Sequence, residues 1–354
     1  MASFIASVIR TTGSDRGLRC VSYRIGDTIA DVTLLAYRYA LDPTPAQERD
    51  LRSHAGAARV AFNWGLARVK ANLSQREAER SYGIPDADLT PSVSWSLAGL
   101  RKAWNAEKEQ VAPWWRECSK EAFNTGLDAL ARALDAWSKS RRGKRKGRPV
   151  GFPRFRSKRK AKMSVRFTTG AIRHDGTHAV LPRLGRIKLH ERADLSDARI
   201  VSATVRYERG RWFVAFTIER DVSRPAAPAG TVVGVDLGIK TLATLSTGEV
   251  IENPRHLSGA LRKVRRLSRT VSRRQGPDRR TGQQASNRWK RADAARNKAL
   301  GRVADQRRDA LHKTTTALTR RFATVVVEDL HVAGMLANHK LARHVADASF
   351  GEFR

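Results

Sequence analysis

The chain has 354 residues, 41% of them hydrophobic, with 68 Lys and Arg against 34 Asp and Glu, a formal charge of +34. That length and apolar content suffice for two or three cored domains and exclude a wholly disordered tail protein. The charge opposes compaction unless a polyanion neutralises it. Nucleic acid is therefore the expected partner and an acidic membrane surface the competitor, although no run of about 18 apolar residues is present to span a bilayer.

Residues 1–32 show no clear period and read as an N-terminal extension, too polar at the start for a secretory signal. Cys20 and Cys118 stand alone, so neither a disulfide framework nor a four-ligand zinc site is expected, and a reducing, cytoplasmic compartment is the simple reading. Thr33, Leu35, Tyr37, Tyr39 and Leu41 alternate as a strand would. Thr44-Pro45-Ala46-Gln47 then opens a helix with a capping box and Pro at the first helical position. Leu51, Ala55, Ala58, Phe62 and Leu66 fall on one face of that helix. A second helix places Phe123, Leu127, Leu130, Leu134 and Trp137 together. Trp95, Trp104, Trp114 and Trp115 between them are expected to anchor a helical bundle, since Trp is more often core than a base-stacking platform.

Residues 139–162 contain no acid. Like-charge runs are commonly solvated tails. Here Phe152 and Phe155 interleave with cations beside Pro149 and Pro153, which suits a loop lying along a phosphate backbone. The expected nucleic-acid contacts are Arg141, Arg142, Lys144, Arg145, Lys146, Arg148, Arg154, Phe155, Arg156, Lys158, Arg159 and Lys160. Residues 164–220 read as strands, with a turn at Asp175-Gly176 and another at Arg209-Gly210 before the alternating Trp212, Val214, Phe216 and Ile218. A small antiparallel sheet or barrel is expected, completed by the strand at 33–41. Residues 223–230 (SRPAAPAG) are the best linker in the chain.

Beyond the linker, a buried-type strand ends in Asp236, with Gly238 allowing a close turn. Strands at 242–246 and 249–251 follow, joined at Thr247-Gly248. A long basic helical stretch then runs to about Phe322, with Leu300, Val303, Arg307, Leu311, Thr314 and Leu318 on one face. A second buried strand, 324–328, ends in Glu328. A right-handed crossover returns it parallel to the first, bringing Asp236 and Glu328 to one sheet edge. Adjacent carboxylates repel unless a cation lies between them, and Mg²⁺ suits oxygen ligands of this kind. Such ions can activate water and hold the leaving oxygen in phosphodiester cleavage. The Val-Asp-Leu-Gly run also resembles the phosphate loop of actin-like kinases, but no glycine cluster follows Val327 to supply the second loop.

Several motifs, in order, resemble the TnpB (OrfB) proteins of bacterial insertion sequences. They are Tyr39–Gln47, Phe62-Asn63-Trp64, Val150–Phe155, Gly234–Lys240, Asn253-Pro254-Arg255, Arg307–Lys313, Val326–Leu330, Gly334–Arg343 and Asp347–Gly351. The resemblance implies an α+β multidomain protein: a WED-like β-barrel domain (33–44 and 149–222), an inserted helical recognition domain (45–148) and an RNase H-like (RuvC) domain (231–354). It implies a guide RNA from the transposon end, a double-stranded DNA target, a nucleoid-associated site of action, and Asp236 and Glu328 as catalytic Mg²⁺ ligands. The family pattern continues with a four-cysteine Zn²⁺ ribbon and a third catalytic aspartate. Neither is found here, so the chain reads as a C-terminally truncated form with impaired cleavage. Asp347 and Glu352 are the nearby acids that could stand in. Guided binding without cutting, or plain RNA or DNA coating, are the alternatives.

Overall fold

The structure is a computed structural model that describes residues 8–9, 20–24, 33–159, 161–168, 170–195, 197–220, 231–278 and 280–353. The linker at 223–230 and Lys160 lie outside these residues, as does most of the extension. The chain divides into two compact units, one spanning 32–221 and the other 222–354 together with 3–31.

In chain order the first strands are β1 (Val8–Ile9) and β2 (Cys20–Arg24), which belong to the second unit. The first unit begins with β3 (Thr33–Asp42). The capping box forms as expected: Thr44 Oγ1 accepts the Gln47 N–H at 3.3 Å, and Gln47 Oε1 accepts the Thr44 N–H at 3.0 Å. Two orphan amides are thereby satisfied at the start of α1 (Pro45–Ser81), a single 37-residue helix. Then come α2 (Leu97–Val111), a 3₁₀ turn at Pro113–Glu117, and α3 (Lys120–Arg141). The predicted faces are the buried ones: Leu51, Ala55, Ala58, Phe62 and Leu66 on α1, and Phe123, Leu127, Leu130 and Leu134 on α3. Helices α1 and α3 pack so closely at Gly126 that a Cβ there would collide with the Ala58 carbonyl oxygen. Trp104 is buried and stacks on Phe123 with ring centroids 5.0 Å apart, while Trp95, Trp114 and Trp115 pack against the same core.

Six strands follow: β4 (Ser164–Phe167), β5 (Arg173–His174), β6 (His178–Leu181), β7 (Gly185–Leu189), β8 (Arg199–Glu208) and β9 (Arg211–Arg220). With β3 they make a seven-stranded sheet ordered β4-β8-β9-β3-β7-β6-β5. The expected small antiparallel sheet is present, and among the described residues no closed barrel is found. The outer edge of β4 is taken by a side chain instead. Thr125 Oγ1 of α3 accepts the Arg166 N–H at 3.0 Å and lies 3.2 Å from the Arg166 carbonyl oxygen. At Arg166 the outward backbone groups of this edge are thereby satisfied. Bundle and sheet share one hydrophobic core, which includes Leu66, Leu127, Phe167 and Phe216.

The second unit holds β10 (Val232–Leu237), β11 (Thr241–Leu245), β12 (Val250–Glu252), α4 (His256–Ser272), α5 (Asn287–Arg321) and β13 (Thr324–Glu328). Three short helices follow: α6 (Val332–Ala337), α7 (Ala342–Ala348) and α8 (Phe350–Phe353). The sheet order is β1-β2-β13-β10-β11-β12. Strands β10 and β13 are parallel, as the crossover rule requires. Two expectations change. The long helical stretch is two helices, α4 ending at Ser272 and α5 starting at Asn287, with Gly276-Pro277 in the segment between them. Leu300 is exposed rather than on the buried face, which carries Val303, Leu311 and Leu318. The extension, which shows no period, supplies β2, antiparallel to the free edge of β13. Among the described residues, no helix is long and apolar enough to cross a membrane.

Candidate nuclease site and cationic surfaces

Register brings the two predicted carboxylates together. Val233 pairs with Val325 and Val235 with Val327 across the parallel β10–β13 ladder, so the next positions are Asp236 and Glu328. Adjacent strands lie about 4.8 Å apart. Alternation puts both acids on one face. Val233, Val235, Leu237, Val325 and Val327 point into a core with Leu311 and Leu318 of α5 and Phe350 of α8. The opposite face carries Gly234, Asp236, Val326 and Glu328, and both acids are exposed. Their row continues through Thr244, opposite Asp236 on β11, and Val250, opposite Thr244 on β12. The recorded β10–β13 pairing stops at Val235 and Val327, so both carboxylates stand where the parallel ladder runs out.

Two like charges at neighbouring positions on one sheet face repel. A hard cation relieves that repulsion, and two exposed carboxylates are a donor set that suits Mg²⁺. Among the described residues, no group of three or more His, Cys, Asp or Glu could hold a metal. Asp347 is spent elsewhere. Asp347 is 7% exposed, and its carboxylate accepts the Leu257 N–H at 2.9 and 3.0 Å and the Ser258 N–H at 3.4 Å, closing the first turn of α4. Glu352 is exposed on α8 and joins no such group. A zinc ribbon has no donors here, because the sequence holds two cysteines and no Cys-x-x-Cys pair.

The basic loop is anchored rather than loose. Asn63 of α1 clamps it: Oδ1 accepts the Arg156 N–H at 2.8 Å, and Nδ2 donates to the Arg156 carbonyl oxygen at 3.0 Å. Phe152 meets Trp137 edge-on at 4.9 Å. The Arg156 guanidinium lies 3.6 Å over the Phe62 ring, and burial lowers its pKa. Arg156 therefore fastens the loop, and Arg141 lies over Trp137. Phe155 is 54% exposed, with Lys70 Nζ 5.4 Å over its ring. Arg142, Lys144, Arg145, Lys146, Arg148, Arg154, Lys158 and Arg159 are exposed, and no carboxylate pairs with them among the described residues. The Asn63 clamp escaped the sequence reading, though the Phe62-Asn63-Trp64 motif was the signal for it.

A second cationic surface is richer than its sequence suggested. Residues 255–302 carry sixteen Lys and Arg and two acids, Asp278 and Asp293. On α4, Leu257, Leu261, Val264, Leu267 and Val271 form the covered side. Arg262, Arg266, Arg269 and Arg273 recur at i, i+4, i+7 and i+11, an exposed stripe on the opposite side. No carboxylate pairs with these four among the described residues.

Comparison with known proteins shows the family. Residues 213–339 match the OrfB family model of IS605-type elements, described as "Probable transposase", and residues 33–78 match its companion, described as "Helix-turn-helix domain". In the structure, residues 33–78 are strand β3 and the uninterrupted start of α1, so no helical turn-helix pair is formed there. A Mycobacterium tuberculosis protein is 37% identical over 324 residues, covering 85% of this chain and 67% of the relative. Relatives from Escherichia coli (31% identical, 85% and 67% covered) and Streptomyces pristinaespiralis (32%, 90% and 72%) are also similar. All three carry the name "Putative RNA-guided DNA endonuclease". With its motifs in order and its relatives covered to this extent, the chain belongs to the OrfB (TnpB) transposase family of IS605-type insertion sequences.

Proposed function

We propose that this protein binds a guide RNA and, through it, a double-stranded DNA target, with Asp236 and Glu328 as the Mg²⁺-holding pair of a RuvC-type endonuclease site. The observation that carries the reading is the register that sets these two acids side by side on one exposed sheet face. The names of the relatives support the RNA and DNA partners, and the charge of +34 supports a polyanion of some size. When bound, Mg²⁺ would activate water and stabilise charge on the leaving oxygen. Asp236 and Glu328 would hold the cation at the sheet face, and each unit offers counter-charge for nucleic acid, the first from the loop at 141–159 and the second from the α4 stripe.

A second reading, guided occupancy with little cutting, is favoured by one observation. Among the described residues, no third ligand joins the pair. Two carboxylates make a weak site for an ion that prefers octahedral coordination. The test is purification of these 354 residues, sequencing of the RNA that comes with them, and a plasmid-cutting assay with and without Mg²⁺. A discrete structured RNA with near-background cutting is the expected result. Random RNA would overturn guided binding in favour of coating. Robust guided cutting would overturn the second reading.

A further inference from the structure

The turn that leaves Asp236 is gripped from a distance. Asn253 Nδ2 donates to the Ile239 carbonyl oxygen at 2.9 Å, and Arg255 Nη2 donates to the Lys240 carbonyl oxygen at 3.1 Å. The two residues are also locked to each other, since Asn253 Oδ1 accepts the Arg255 N–H at 3.1 Å. Two successive carbonyls, three and four residues beyond Asp236, are thus held by one short segment between β12 and α4. That segment is itself fixed. It leads into the α4 turn that the Asp347 carboxylate closes, and Arg307 Nη1 donates to the Ala346 carbonyl oxygen at 2.5 Å, tying α7 to α5.

Arg255 adopts φ 45°, ψ 48°, the left-handed region. Glycine takes that conformation without strain, whereas a residue with a Cβ does not. It gives α4 no side-chain cap in return. Local strain of this kind persists where surrounding contacts enforce it and gathers near functional sites. What the Arg side chain does here is reach back to Lys240.

We propose that Asn253 and Arg255 are positioning residues for Asp236. The β10–β13 register sets the two acids side by side, and its last pair is Val235 with Val327. Asp236 is also held by the hairpin with β11, opposite Thr244, and the turn that follows it is held by this bracket on Ile239 and Lys240. The bracket therefore tunes divalent-cation affinity without touching the cation. This inference rests on the metal-pair reading given above.

The test is Mn²⁺ binding to the full chain, followed by electron paramagnetic resonance, alongside thermal melting and hydrogen exchange. Asp236→Ala is expected to abolish one Mn²⁺ site. Asn253→Ala and Arg255→Gly are expected to weaken that site about tenfold, the usual scale for residues that orient metal ligands. Amides at 238–240 are expected to exchange faster in both. Arg255→Gly relieves the positive-φ strain, so its melting temperature should hold or rise while Mn²⁺ affinity falls, a divergence that a merely structural role would not produce. Arg255→Lys, which keeps a donor, should recover most of the affinity. Unchanged Mn²⁺ affinity in Asn253→Ala and Arg255→Gly, with the site lost in Asp236→Ala, would overturn the positioning role and leave the metal pair intact. Unchanged binding in Asp236→Ala would overturn the metal pair and the positioning role together.

Discussion

The two sheets of this protein are finished differently. In the first unit, Val165, Phe167, Val205, Val214, Phe216 and Ile218 are buried in a core shared with the helices, and the β4 edge is closed by Thr125. In the second unit, α5, α7 and α8 contribute to the core on one face. On the other, among the described residues, Val232 (62%) and Val250 (49%) stand exposed beside two uncompensated carboxylates. Apolar surface beside like charge adds nothing to stability. The first sheet is covered by helices and closed at one edge position, and the second leaves a face with two neighbouring carboxylates exposed, the face on which the proposed chemistry rests.

That contrast is broken most severely at Gly126. A side chain there strikes the Ala58 carbonyl oxygen, which is backbone and cannot swing aside. Gly126→Val should therefore destabilise the first unit by about 3 kcal/mol, the upper end for overpacking. Tryptophan fluorescence in urea would read it, since seven of the eight tryptophans lie in residues 32–221. An unshifted midpoint would mean that α1 and α3 do not approach as closely as they do here.

Next in size is the comparison of the two cationic surfaces. Each phosphate contact on a duplex adds about 0.9 to the slope of log K against log salt. Replacing Arg262, Arg266, Arg269 and Arg273 with Ala should lower that slope by about 3.6 if the stripe tracks a duplex. Replacing Arg145, Lys146, Arg148 and Arg154 gives the matching measurement for the loop. Gel-shift titrations at several salt concentrations would show which surface carries the contacts. A slope indifferent to the α4 changes would assign the stripe to solvent.

Much of this architecture was legible because it is local. The capping box, the alternation of β3, the faces of α1 and α3 and the Asp175-Gly176 turn all depend on residues within a few positions of each other. Gly176 indeed adopts φ 83°. The convergence of Asp236 and Glu328 was also readable, because strand, crossover and parallel strand admit one handedness. The remainder depends on contacts that leave no periodic trace. Thr125 closing the β4 edge, Asn63 clamping Arg156, Asp347 capping α4 and β2 joining β13 are each set by geometry between distant segments. The break between α4 and α5 was a different kind of miss, since Gly276-Pro277 announced it and the surrounding basic residues concealed it.

A smaller effect separates the units by pH. His54 lies in the first core, its Nδ1 2.8 Å from the Asp50 carbonyl oxygen and its Nε2 accepting the Ser119 N–H at 3.0 Å. Burial lowers its pKa, so the folded protein keeps the ring neutral at pH values where the unfolded chain has begun to take up a proton. The stability it contributes is complete above about pH 6.5 and is lost as pH falls from there toward the lowered folded value. His54→Gln should cost about 1 kcal/mol at neutral pH through the Ser119 bond and should flatten this part of the acid slope. Urea midpoints at pH 7.5 and 5.5, compared with the parent, would check both. An equal acid slope in the variant would place the titration elsewhere.

The smallest expected effect has the opposite sign, and for that reason it tests the contrast most sharply. Glu328→Gln keeps the shape of the side chain and removes one of two neighbouring negative charges on an exposed sheet face. Nothing buried is opened, and in the absence of a divalent cation a repulsion is relieved. Stability should therefore rise, by about 0.5 kcal/mol at low salt and less as screening grows. Adding Mg²⁺ should reverse the order, because the parent gains a bound ion and the variant does not. A site kept for chemistry is one whose removal stabilises the empty protein. If Glu328→Gln instead destabilises the protein with Mg²⁺ chelated, the carboxylate is part of the framework, and the second sheet is finished in the same way as the first.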